Sequence, residues 1–392
     1  MAGSHRVSAA PDPLRAGDVS AADWQRLATD GDPFVSGAFL SAAERCVTES
    51  GPAGWVPMHL ALRDGAGRIT GLLPLYQRHH WYGDFAMDYG WAPAWQQAQL
   101  SYFPKLVTGV PFTPSPGPRL LVADDDNATR AALIAAAIDL TVETGASNWQ
   151  CLFVREPDRA ALEAAGLLLR RGVQFHWLNR GYRDFADFLS TFTAEKRKKL
   201  KRERRAVSDA GLRIEARHGD GIDDDLWPAI HRHYRSTFER LGGVAAFTEE
   251  FFRGVGAALG RRMVVFCAFA GEQPVASAIC YRDNAALYGR HWGTDINCPG
   301  LHFELCYHAG IEYAITHGLR RFEPGAQGEH KIARGFEPVS TWSAYWIADP
   351  RLRDAVVRYL AREDGAMRDY QAEMTSHLPY RAAETGLING SC

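Results

Sequence analysis

After the strand-like run LRRFE comes GAQGEHKIARGF, Gly325 to Phe336, too polar to be buried without partners and too rich in glycine for an ordinary helix. Gly325, Gly328 and Gly335 let the backbone approach a ligand and aim amide hydrogens at it. Lys331 adds a compact positive charge suited to a phosphate or an oxyanion. His330 titrates near neutrality and Glu329 reaches that range when buried, so either can move a proton. Gln327 and Arg334 offer further polar contacts to a substrate. The alternative for Glu329, Lys331 and Arg334 is a set of structural ion pairs that anchor the loop.

Other groups able to do chemistry precede this segment. Glu304 and His308 stand one helical turn apart and share a face. If that face lines the same cleft, Glu304 binds or deprotonates an amine with His308 beside it; otherwise the two form a satisfied polar pair at the edge of the core. Glu323 ends its strand immediately before the loop. Tyr288, Arg290, His291 and Trp292 lie on an earlier strand, where alternation sends Tyr288, Arg290 and Trp292 to one face and His291 to the other. In the first half, Lys105 and Arg119 flank a stiff connection carrying Pro114, Pro116 and Pro118, preceded by Asp84, Asp88 and Trp91. These residues shape an acceptor pocket or serve packing, the commoner fate of such aromatics. His79-His80 has no third ligand at zinc spacing, so no metal is expected.

One further segment is lopsided in charge. EKRKKLKRERR, Glu195 to Arg205, holds eight cations against two carboxylates in eleven residues. On a helix, Lys198, Lys201, Arg202 and Arg205 recur at i, i+3, i+4 and i+7 as one cationic stripe, with Leu200 and Val207 marking the buried side. Such a stripe is a solvated face or a seat for a polyphosphate or a nucleic-acid backbone.

The elements that must position these groups are legible as a pattern. The first half reads as helix (WQRLATDGDPFVSGAFLSAAERCV), hairpin around Asp64-Gly65-Ala66-Gly67, a proline- and aromatic-rich passage from Tyr82 to Pro118, a helix ended by Gly145, and the strands WQCLFV and VQFHWLN around a short helix. The second half repeats the order: helices, a meander turning at Gly271-Glu272 and Asp283-Asn284, the helix LHFELCYHAGIEYAITHG, a strand, the polar loop and a closing strand. This predicts a duplicated α/β module with a mixed sheet. Residues 1–20 read as a disordered lead-in, 21–178 and 179–365 as the two domains, and 366–392 as a tail.

Composition fits this picture. The chain has 392 residues, 46% hydrophobic and 23% charged, with net charge −2, so a packed soluble protein is expected and no global attraction to nucleic acid follows. No apolar run approaches the ~20 residues that span a bilayer, and the start lacks the apolar core of a secretory signal. The seven cysteines show no CxxC pair, which suits free thiols in a reducing cytoplasm.

Several stretches together, PLYQRH, PKLVTGVPFTPSPGPRLLV, GVQFHWLNRGY, the basic helix, LYGRHWG, LHFELCYHAGIEYAITHGLRRFEPGAQGEHKIARGF and YWIADPRLRDAV, resemble the FemAB-like family of predicted N-acyltransferases. The resemblance runs from about Asp23 to Glu363. It implies two tandem GNAT-type domains and kinship with Fem-type transferases, which move an aminoacyl group from a charged tRNA onto an amine. Lys331 followed by Gly335-Phe336 matches the Fem-type lysine and Gly-Phe at slightly different spacing. The basic helix corresponds to a similar one in Fem-like sequences. The resemblance thus favours an aminoacyl-tRNA donor and a small-molecule or peptide amine acceptor, with no cofactor. Acyl-CoA is the runner-up donor, weakened because TDINCPGLHFE lacks a glycine-rich pyrophosphate turn. A nucleic-acid binder without catalysis would explain the basic helix and leave the polar loop unexplained.

Overall fold

The computed structural model describes residues 6–7, 14–28, 31–49, 54–123, 126–326 and 328–381. They divide into two units: the described residues up to 172 with 340–369, and 173–339 with those from 370 on.

The same order of strand pairing occurs in each unit. In the first, Tyr76–Arg78 pairs antiparallel with Lys105–Thr108, which runs parallel to Asn148–Val154, which pairs antiparallel with residues 342–347. In the second, Gln273–Arg282 pairs antiparallel with Ala286–Thr294, which runs parallel to Arg321–Glu323, which pairs antiparallel with residues 177–178. Parallel neighbours need a crossover, and each unit supplies a helix there: Asn127–Glu143 in the first, and the run from Leu301 to Thr316 in the second. The expected mixed α/β chain with two related domains is met in this repeat.

The domain boundaries differ from the linear division. The chain leaves the first unit within the strand Leu168–Leu178, returns within Glu337–Ile347, and leaves again within the helix Pro350–Ser376. Residues 340–365, assigned to the second domain on sequence, therefore fold with the first, because Trp342 to Ile347 complete its sheet. The supposed tail is helical to Ser376, and Met374 and Tyr380 are buried in the second unit's core. The supposed lead-in also needs correction. Arg6 and Val7 pair with Arg63 and Leu62, Leu14 bridges to His59, and Ala16 and Val19 are buried. Residues 382–392 lie outside the described part.

In the first unit, Leu133, Ile134 and Ala137 of the crossover helix pack with Leu106, Trp149 and Cys151 of the sheet. The predicted hairpin joins Leu60–Arg63 to Ile69–Leu73, with the Asp64 carboxylate accepting from the amides of Ala66 and Arg68. The buried strand Lys105–Thr108 sits inside the proline-rich passage, where flanking prolines hide it from pattern reading.

In the second unit, the meander continues from Gln273–Arg282 to Met263–Ala270 and Leu212–His218. One sheet face, with Val264, Phe266, Ala278 and Cys280, packs on Leu301, Leu305 and Ile311 of the crossover helix and on Leu200 and Val207 of the basic helix. Leu200 and Val207 are its buried side, as their spacing predicts. On the other face, His291 meets Tyr234 of the helix Trp227–Arg240, their ring centroids 4.8 Å apart.

Candidate active site

The polar loop leaves the sheet at Glu323 and closes as a tight helical turn, Glu329–Arg334. Gly328 enters it at φ 112° and Gly335 leaves it at φ 84°, backbone conformations that a side chain would strain. At Gly335 a Cβ would also lie 2.9 Å from the rings of Phe188 and Phe192. Ile332 and Phe336 anchor the turn in the core. Gln327 lies outside the described residues.

That anchoring buries Lys331, which is 2% exposed. Its Nζ donates a 2.6 Å hydrogen bond to the carbonyl of Gly325. Burial, aided by the positive charge of Arg290, pulls the ammonium down from 10.5 to about 7, so both protonation states are accessible near neutrality.

Arg290, whose charge acts on Lys331, lines a pocket of about 370 Å³, counting its open mouth, with Cys280, Gly289, Trp292, His302, Cys306 and Tyr307 among others; Lys331 itself does not line the pocket. A β-bulge builds it. Gly289 pairs with Cys280 and His291 with Ile279, so Arg290 is inserted between two ladder positions. Cross-strand partners share a face, which corrects the simple alternation: Tyr288 and His291 lie on one face and Trp292 on the other. Trp292 turns to His302, with ring centroids 4.6 Å apart. Tyr288 is held away from the pocket by Asp283, at 2.6 Å, and by Arg321, at 3.1 Å. His291 borders the pocket while its ring packs among aromatics, and burial lowers its pKa to about 3.

His302, Cys306 and Tyr307 project towards the pocket, although α-helical spacing singles out Glu304 and His308 instead. Glu304 and His308 do share a face, but it turns to the basic helix; a π-helical segment, Glu304–His308, interrupts the crossover helix here. Glu304 faces the basic helix, where Arg204 grips it at 2.8 and 3.0 Å. Burial raises its pKa against that attraction. It lines a separate shallow groove with Arg204, Arg205, Ser208 and Ile214. His308 packs edge-on to Phe185, with Glu203 at 4.0 Å, and burial lowers its pKa to about 3. Neither is a lining residue of the Arg290 pocket, so Glu304 is placed as the structural partner of Arg204.

The other loop groups divide in the same way. His330 Nε2 lies 2.7 Å from the Tyr307 hydroxyl. Burial, then the charge of His330, lowers the pKa of His302 to about 4 and keeps it neutral. Arg334 stacks over Phe303 at 3.4 Å, bonds Glu203 of the basic helix at 2.8 Å and donates to the His330 carbonyl, a structural role. Glu329 accepts from Tyr370 at 2.9 Å and is exposed. Glu323 is 2% exposed; burial pushes its pKa up, but His176, Arg321 and Arg290 outweigh that and hold it ionised, with Arg321 at 2.8 Å. A carboxylate so tightly held is a poor base.

Lys105 and Arg119, read as substrate-binding, are consumed inside the first unit. Lys105 is fully buried between Asp84 at 2.9 Å and Asp88 at 2.7 Å. Arg119 donates to the carbonyls of Leu152, Pro118 and Ser115, pinning the proline-rich connection. Lys198, Lys201, Arg202 and Arg205 are all exposed, and none has an ion-pair partner among the described residues.

Comparison with known proteins supplies a frame for this geometry. The sequence model of a family described as FemAB-like, peptidoglycan biosynthesis/recognition, matches residues 15–382. No curated protein sequence matches. Among solved structures, the C-terminal domain of a putative lysylphosphatidylglycerol synthetase from Agrobacterium fabrum is similar at TM-score 0.53 and 9% identity, covering 87% of this chain and 96% of that one. FemX aligns at TM-score 0.48 and 11% identity over 81% and 92% of the two chains. A tandem GNAT protein from the clavulanic acid biosynthesis pathway aligns at 0.41 and 15% over 86% and 98%. Among the described residues, no helix is long and apolar enough to cross a membrane.

Proposed function

Because the chain belongs to the FemAB-like family, we propose that it is an N-acyltransferase, moving an aminoacyl group from an aminoacyl-tRNA to the amine of a small molecule or peptide. The observation that carries the reading is Lys331, buried in the glycine-rich loop within the electrostatic reach of the pocket-lining Arg290, with its pKa brought to about 7. Amide formation from an activated ester needs an amine without its proton, the two reactants held in line, and stabilisation of the tetrahedral oxyanion. A cation held in a desolvated loop serves the last need, where one oxyanion donor is worth about 3 kcal/mol. No covalent nucleophile is required.

Four exposed cations on one helical stripe support the choice of donor: Lys198, Lys201, Arg202 and Arg205 fit a run of backbone phosphates. The test offers the enzyme total tRNA charged with labelled amino acids, with and without ribonuclease, and acyl-CoA in parallel, against a mixture of free amino acids, dipeptides and amino sugars. Amide that forms with charged tRNA and vanishes with ribonuclease is expected. Amide that forms with acyl-CoA and survives ribonuclease overturns the tRNA donor and keeps the acyltransferase.

A further inference from the structure

We propose that Tyr307 and His330 form a relay that carries the acceptor amine's proton out of the pocket to solvent, an inference that rests on the acyltransferase reading. Tyr307 is 3% exposed and lines the pocket, whereas His330, 2.7 Å from its hydroxyl, is exposed. The pair therefore joins a pocket-lining phenol to an exposed imidazole through one hydrogen bond.

Charge in the pocket favours such a path. No carboxylate is among its lining residues, and Arg290 stands at its wall. An ammonium entering there meets positive charge from Arg290, and from Lys331 when protonated, with no carboxylate among the lining residues, so loss of a proton is favoured. The overall change is ester plus ammonium to amide plus alcohol plus one proton. The phenol oxygen takes the first proton from the ammonium while passing its own to His330 Nε2, and the imidazole gives up a proton to solvent from its other nitrogen. The free amine forms the C–N bond, the C–O bond of the donor breaks, and the second nitrogen proton ends on the leaving oxygen. Burial, then Lys331 and Arg334, lowers the pKa of His330, which keeps it neutral and ready to accept. Burial, with Cys306 adding to it, raises the pKa of Tyr307, so the phenol passes protons without ionising at rest. The other charged or titratable groups around the pair are His302, Glu203 through Arg334, and Glu329, which is bonded to Tyr370.

Two variants test the relay. Tyr307→Phe keeps the ring that packs 5.3 Å from Phe336. His330→Gln keeps a hydrogen-bonding atom and cannot titrate. With isotopically labelled histidine, the resonance of His330 should titrate about half a pH unit higher in Tyr307→Phe, because the phenol's bond to the neutral ring is gone. An unchanged titration overturns the pairing whatever the substrate. With whichever donor gives amide in the assay above, both variants should lose roughly a hundredfold in turnover, with a changed pH profile and a reduced solvent isotope effect. Wild-type turnover and pH profile in both variants overturn the relay. Amide from neither donor with the unaltered enzyme overturns the acyltransferase reading, and the titration still decides the pairing.

Discussion

The Lys331 ammonium donates to the carbonyl of Gly325, six residues earlier, across a 2.6 Å hydrogen bond that closes the polar loop on itself. Gly325 follows the end of the strand and Lys331 lies in the helical turn, so the same contact shapes the loop and holds the charge.

Lys331→Ala should lower turnover at least about tenfold in a folded protein, since it deletes a charge that serves the transition state. If the protonated form acts, wild-type turnover falls as pH rises through about 7. Lys331→Arg keeps its charge and should lose that alkaline fall. Full activity in the folded alanine variant would contradict the assignment.

The same lysine should shape stability. Its folded pKa, about 7, lies below the ordinary 10.5, so between these values the unfolded chain binds more protons and stability rises with pH. The slope is at most about 1.4 kcal/mol per pH unit. Lys331→Met should be the more stable protein at and below neutrality, with the difference shrinking as pH rises. Urea unfolding of both proteins across that window measures it, and parallel curves would show that the lysine is not desolvated.

Four phosphate contacts give a log-log salt dependence with a slope of about −3 for tRNA binding. Replacing Lys201 and Arg205 by serine should reduce that slope by nearly half, read by filter binding at several salt concentrations. An unaltered slope would remove the stripe from the interface.

Lys105→Met should destabilise the first unit by about 3–5 kcal/mol, because it leaves Asp84 and Asp88 buried without their cation. Lys105→Met with Asp88→Asn should recover part of that loss. Chemical denaturation distinguishes this from a substrate role, which would spare stability and raise KM.

Local chemistry made much of this protein legible in its sequence. Glycines at Gly328 and Gly335 mark left-handed backbone, the spacing of Leu200 and Val207 marks the buried side of the basic helix, and turn residues mark the hairpin at Asp64. Such signals depend on neighbours within a few residues, so the sequence determined the elements, the exposed cationic stripe and the unusual loop. It did not determine which side chains meet. The inserted Arg290 reverses the faces of its strand, and a π segment, Glu304–His308, interrupts the helix that carries His302, Cys306 and Tyr307. Both irregularities break the periods of 2 and 3.6 on which sequence reading relies. The surroundings of each charge were likewise set only by tertiary burial: Lys105 meets two carboxylates, whereas Lys331 meets a backbone carbonyl. Desolvation depends on atoms brought together from across the chain, and no local pattern encodes it.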